Sequence, residues 1–147
     1  DLESAGADWS SGRLLAFALE WFDDLSHTGA RPVLYSYTSF LQQRFTPSDR
    51  AELLALGPLW LAQYRSLTSP WAPSSEADMP RAYPWDAWQY SGNGGYRVPG
   101  IVGDCDRNLF RGDDAALQKW FGLAFTGEPE PAIVRPDVPL GRPALDD

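Results

Sequence analysis

The alternation of two hydrophobic periods along this chain constrains its fold more than any other feature. Leu14, Phe17, Ala18, Trp21, Phe22 and Leu25 recur at helical spacing. Ser10 or Ser11 can cap that helix, and Gly29 stands where it should end. A short β-rich run follows, from Pro32 to Tyr37. Thr46-Pro47-Ser48-Asp49 reads as a second helix start, with a capping hydroxyl, proline at the first helical position and an acid in the first turn. Gly57-Pro58 stops that helix, and Leu59 to Tyr64 reads as a strand apolar enough to be buried on both faces. Ser66 to Pro84 is a long loop rich in Ser and Pro, of a length that in compact domains is often functional. Trp85 to Tyr90 and Val102 to Phe110 hold two further strands on either side of a glycine-rich turn, and Asp113 to Phe121 forms a last amphipathic helix. Strands separated by helices pair in parallel through right-handed crossovers. The expected class is therefore α/β, with any site at the C-terminal ends of the strands.

Composition narrows the possible partners. The chain has 147 residues, enough for one domain with a core, and 44% of them are hydrophobic, including seven Trp. Some of those tryptophans must be core, but flat aromatic faces also suit the apolar faces of sugar rings. A net charge of −8 argues against nucleic acid, which demands a basic footprint, and against anionic membrane surfaces. No apolar run approaches the ~20 residues of a membrane span. Cys105 is the single cysteine, so no intrachain disulfide is possible, and one His with one Cys cannot make the usual zinc sets. No cofactor is expected. His27, next to a helix end, reads as a favourable C-terminal charge and not as a catalytic base. From about Thr126 the composition turns to proline and charge, so residues 1–125 are expected to form the domain and residues 126–147 a linker or tail.

The chain opens on Asp1-Leu2-Glu3. In an extended triplet both acids point the same way, with Cα atoms roughly 6.5–7 Å apart. Two carboxyls that close cannot ionise independently, and one is pushed towards staying protonated. That is what a general acid beside a charged stabiliser requires.

A second constellation lies late in the chain. Trp88-Gln89-Tyr90-Ser91, a glycine-rich turn, Val98-Pro99-Gly100-Ile101 and Gly103-Asp104-Cys105-Asp106-Arg107-Asn108 follow one another. Together with Asp1-Leu2-Glu3, Pro32-Val33-Leu34-Tyr35 and Leu59-Trp60-Leu61-Ala62-Gln63-Tyr64, this order resembles glycoside hydrolase family 25, the Chalaropsis-type lysozymes that include many phage endolysins. The resemblance covers roughly residues 1 to 112. It implies a flattened (β/α) barrel of the TIM-like type and an N-acetylmuramidase that cuts between N-acetylmuramic acid and N-acetylglucosamine in bacterial peptidoglycan. It implies Glu3 as general acid, Asp1 as the neighbouring carboxylate that stabilises positive charge or assists the substrate's acetamido group, and Asp106 as a late acid of the cleft floor. Asp104 is then a turn or solvent residue. Tyr35, Trp60, Tyr64, Trp88 and Gln89 are the candidate substrate contacts, with Trp60 and Tyr64 on one strand face. The protein is expected to act at the cell wall, secreted or released by lysis.

The chain also departs from that pattern. The strand leading into Asp-x-Glu and the first barrel strands, one of which carries another acid, have no counterpart before Asp1. The resemblance thus implies a partial barrel, the C-terminal portion of the catalytic domain, with exposed strand edges and poor stability or activity in isolation. A non-catalytic wall-binding or phage structural module is the alternative. A chitinase-like hydrolase shares Asp-x-Glu but gives no reason for the Trp-Gln-Tyr and Asp-Arg-Asn segments.

Overall fold

A computed structural model describes Leu2 and residues 8–64, 78–92, 102–103 and 105–122. The first helix, α1, spans Ser11–His27; the Ser10 side chain accepts from the Arg13 N–H, and Gly29 adopts φ +78° just beyond the helix. Its buried face is Leu14, Leu15, Ala18 and Phe22, narrower than the predicted stripe. Phe17 and Trp21 stay over 40% exposed. Strand β1 (Leu34–Tyr37) runs directly into α2 (Thr38–Arg44), a helix that the sequence pattern did not reveal. Its N-cap is Tyr37, whose side chain makes no capping hydrogen bond, so no start signal is written in the sequence. Helix α3 (Pro47–Leu54) begins as expected, with Thr46 Oγ1 accepting from the Asp49 N–H at 3.2 Å. Ser11 Oγ in turn donates to the Asp49 carboxylate and accepts from the Thr46 N–H, tying the starts of α1 and α3 together.

Strands β2 (Leu59–Ala62), β3 (Ala87–Ser91) and β4 (Arg107–Phe110) complete one sheet, and α4 (Asp114–Trp120) follows under an Asp113 cap. The sheet order is β1-β2-β3-β4. β1, β2 and β3 are parallel, as the helix-separated pattern predicted, whereas β4 pairs antiparallel with β3. Of the expected α/β partial barrel, the described residues form a mixed α/β sheet of four strands that does not close on itself.

Register sorts the strand residues into two faces. Leu34, Leu59, Leu61 and Trp88 point to the side covered by α1, α2 and α3 and join Leu14, Phe22, Phe40, Leu41 and Leu53 in one core cluster. Tyr35, Trp60, Ala87 and Phe110 form one cross-strand row of the opposite face, and Tyr37, Ala62, Gln89 and Asn108 form the next. β2 is thus not buried equally on both sides, because Trp60 is only half-buried.

Leu2 lies against the edge of β1. Its N–H donates to Tyr35 O at 2.9 Å, and its carbonyl accepts from the fully buried Ser36 hydroxyl at 2.6 Å. The Leu2 side chain is 4% exposed and sits in the helix-side core. Asp1, Glu3, Asp104, most of the Ser- and Pro-rich loop, most of the glycine-rich turn and residues 126–147 lie outside the described residues.

Candidate active-site cleft

The C-terminal ends of the parallel strands gather the polar and aromatic groups of the open face. A cleft of about 580 Å³ opens there, lined by Tyr35 and Tyr37 of β1, Thr38, Ser39 and Gln42 of α2, and Ala62, Gln63 and Tyr64 at the end of β2. Gln89 of β3 lies on the same face, 3% exposed. Its Oε1 accepts from the Tyr35 hydroxyl at 2.6 Å and from the Tyr64 hydroxyl at 3.3 Å. One buried amide thus holds two phenols, one on β1 and one just beyond the end of β2. Thr38 Oγ1 donates to Gln63 Oε1 at 2.8 Å and links α2 to the end of β2. Tyr64 itself is 55% exposed.

Asp106 also stands at this end, because β4 is antiparallel and the residue before Arg107 lies near the C-terminus of β3. Asp106 is exposed. Gly92 explains how close these groups come. A Cβ added there would collide with the Tyr64 hydroxyl, would sit 2.9 Å from its Cζ, and would be 3.4 Å from Asp106 Oδ1. Nothing in the sequence marks Gly92 among the neighbouring glycines; only its contact with Tyr64 gives it a role.

Two of the expected aromatic contacts fall elsewhere. Trp88 is 0% exposed on the helix side, flanked by Trp85 and Tyr90, with its Nε1 donating to Gln63 O at 2.9 Å. Strand alternation turns Gln89 to the open face and therefore turns Trp88 into the core, so its assignment as a sugar wall is corrected. Trp60 is on the open face, as is Tyr64, but it lines another cavity at the opposite end of the strands. That cavity, of about 620 Å³, is bordered by Ala30, Val33, Phe110, Leu117, Trp120 and Phe121. Trp60 Nε1 donates to Asn108 Oδ1 at 2.8 Å, and its ring meets Tyr35 edge-on at 5.5 Å. Trp60 thus braces Tyr35 from below and is not part of the cleft lining.

Comparisons with known proteins identify the family of the chain. Residues 1–101 match glycosyl hydrolases family 25. The chain belongs to this family. Family 25 membership covers Asp1, Glu3, the cleft tyrosines, Trp60 and Gln89, but the match stops before Asp106, short of the expected span to residue 112. A relative within reach of direct alignment is Lysozyme M1 of Streptomyces globisporus, 39% identical over 66 residues. Those residues are 44% of this chain and 19% of that protein, so the chain spans less than a fifth of the relative's length by this alignment. No helix among the described residues is long and apolar enough to cross a membrane.

Proposed function

We propose that this family 25 domain serves as an N-acetylmuramidase, hydrolysing the bond between N-acetylmuramic acid and N-acetylglucosamine in peptidoglycan at the bacterial cell wall. The observation that carries the reading is the position of Leu2. Its N–H bond to the Tyr35 carbonyl and the bond its carbonyl accepts from the Ser36 hydroxyl hold the middle residue of Asp1-Leu2-Glu3 against the sheet edge, beside Tyr35 of the cleft. Leu2 turns its side chain to the helix-side core. The reading requires its neighbours' carboxyls on the other face, which strand alternation supplies when the backbone is extended. Glu3 would then protonate the leaving glycosidic oxygen as the C1–O bond breaks. Asp1 would stabilise the oxocarbenium-like centre or orient the substrate's acetamido group, and a water would complete hydrolysis. Asp106 would add negative charge from the far side, next to Tyr64. Tyr35, Tyr64 and Gln89 would hold the glycan.

Glu3→Gln in the full-length protein tests this. Loss of a general acid lowers the rate by about 10²–10⁴-fold while the fold is kept. The expected result is loss of wall clearing and of new reducing ends, with binding to insoluble peptidoglycan retained. Undiminished hydrolysis by Glu3→Gln overturns the assignment. A wild-type protein that binds peptidoglycan but releases no reducing ends favours the non-catalytic wall-binding module instead.

A further inference from the structure

We infer that Gln89 and Tyr64 form a hydroxyl-reading pair in the cleft: Gln89 Nε2 donates to, and Tyr64 Oη accepts from, one and the same sugar hydroxyl of the bound glycan. This rests on the reading of the cleft as a glycan site and specifies what it recognises there.

The argument starts from the 2.6 Å contact between Tyr35 Oη and Gln89. That separation fits O–H···O and is shorter than ordinary N–H···O bonds. The amide atom facing the phenols is therefore the carbonyl oxygen, which has two lone pairs, one for each tyrosine. Two consequences follow. The phenol of Tyr64 has one proton, and it is directed at Gln89 Oε1, so the oxygen turns lone pairs outward. The Gln89 amide nitrogen keeps two N–H donors, and no hydrogen bond engages it among the described residues. It is not sealed off either, since Trp120 Nε1 is the only fully buried side-chain polar atom without a partner among the described residues. A side chain that is 3% exposed and held by its oxygen keeps its nitrogen as a fixed, unengaged donor beside the two phenols.

A hydroxyl is the group that satisfies both halves. It accepts from Gln89 Nε2–H and donates to Tyr64 Oη, and Tyr64 already donates to Gln89 Oε1. The bonds then run in one direction around a closed ring, an arrangement in which each strengthens the next. An ether oxygen accepts but cannot donate, and a carboxylate would meet the Tyr64 lone pairs with its own. Gly92 makes the ring possible, because any Cβ there displaces the Tyr64 hydroxyl from Gln89.

Three substitutions in the full-length protein test the pair, made in the Glu3→Gln background so that binding is read without turnover. Tyr64→Phe deletes the acceptor and leaves an exposed ring in place. Gln89→Glu keeps an oxygen for both phenols and exchanges the donor for an acceptor. Gly92→Ala moves Tyr64 without altering either polar group. The probe is peptide-free peptidoglycan glycan strands titrated by calorimetry, with circular dichroism confirming the fold of each variant. Each substitution is expected to weaken binding about tenfold, the worth of one lost hydrogen bond of about 1.4 kcal/mol. Tyr64→Phe combined with Gln89→Glu is expected to be no worse than the weaker-binding single variant, because either change breaks the same ring. Should Gln89→Glu fail to fold, the exposed Tyr64→Phe and Gly92→Ala variants decide. Binding within twofold of the background protein for Tyr64→Phe, or strict additivity in the double variant, overturns the pair and leaves the cleft reading intact. No binding of the strands by the background protein overturns the cleft reading and this pair with it.

Discussion

Trp88→Phe separates a core tryptophan from a sugar-stacking one. The indole is 0% exposed and wedged against Trp85 at 6.1 Å and Tyr90 at 5.6 Å between ring centroids. Phenylalanine keeps one ring but removes Nε1, which donates to Gln63 O at 2.9 Å. Losing that hydrogen bond costs about 0.5–1.5 kcal/mol. The missing atoms leave a void on the order of 40 Å³, adding about 1 kcal/mol at the measured cost per unit of cavity volume. The sum is about 1.5–2.5 kcal/mol. For a domain of this length that corresponds to a melting midpoint lower by about 5–10 °C. Thermal unfolding by circular dichroism reads the shift, and affinity for peptidoglycan measured well below the midpoint should be unchanged. Trp60→Phe serves as the contrast: it loses a bond to an exposed Asn108 acceptor, worth under about 1 kcal/mol. A midpoint within about 2 °C of wild type, together with weakened glycan binding by Trp88→Phe, would refute the placement of Trp88 in the core.

Ser36→Ala removes the hydroxyl that holds the Leu2 carbonyl and leaves that buried acceptor unmet, a loss of about 1–3 kcal/mol; if Asp1 and Glu3 act through this anchor, hydrolysis falls as well, and full activity at a temperature where the variant is folded would separate the two. His27 titrates above its ordinary value of 6.5, first because its Nδ1 lies 2.8 Å from Asp23 O and then because the Asp23 carboxylate is 3.7 Å away. The charged ring is favoured in the folded state, so its contribution is fully present below about pH 6.5 and is lost as pH rises through the folded value. As the single histidine, it gives one imidazole titration by NMR; Asp23→Asn should move that curve part of the way down, and an unmoved curve would exclude the carboxylate as a cause.

How far the sequence could be read differed by element, for physical reasons. Helices α1 and α3 were legible because Ser10 and Thr46 write their starts as side-chain hydrogen bonds to the backbone. Helix α2 was not: Tyr37 begins it with no capping bond, and seven residues carry too little periodicity. The family resemblance was legible from short motifs in order, and residues 1–101 carry it. Barrel closure was not, because closure depends on strands meeting through space.

The sequence by itself determined the alternation of helices and strands, the capped helix ends and the family. It also determined that Trp88 and Gln89 must face opposite sides of their strand, since successive strand residues always do. Only the tertiary structure decided which side is which. α1, α2 and α3 cover the face shared by Leu34, Leu61 and Trp88, and pairing Ala62 with Gln89 brings that amide beneath Tyr35 and Tyr64. Alternation is a local property of the backbone, whereas inside and outside exist only once the helices have packed on one face.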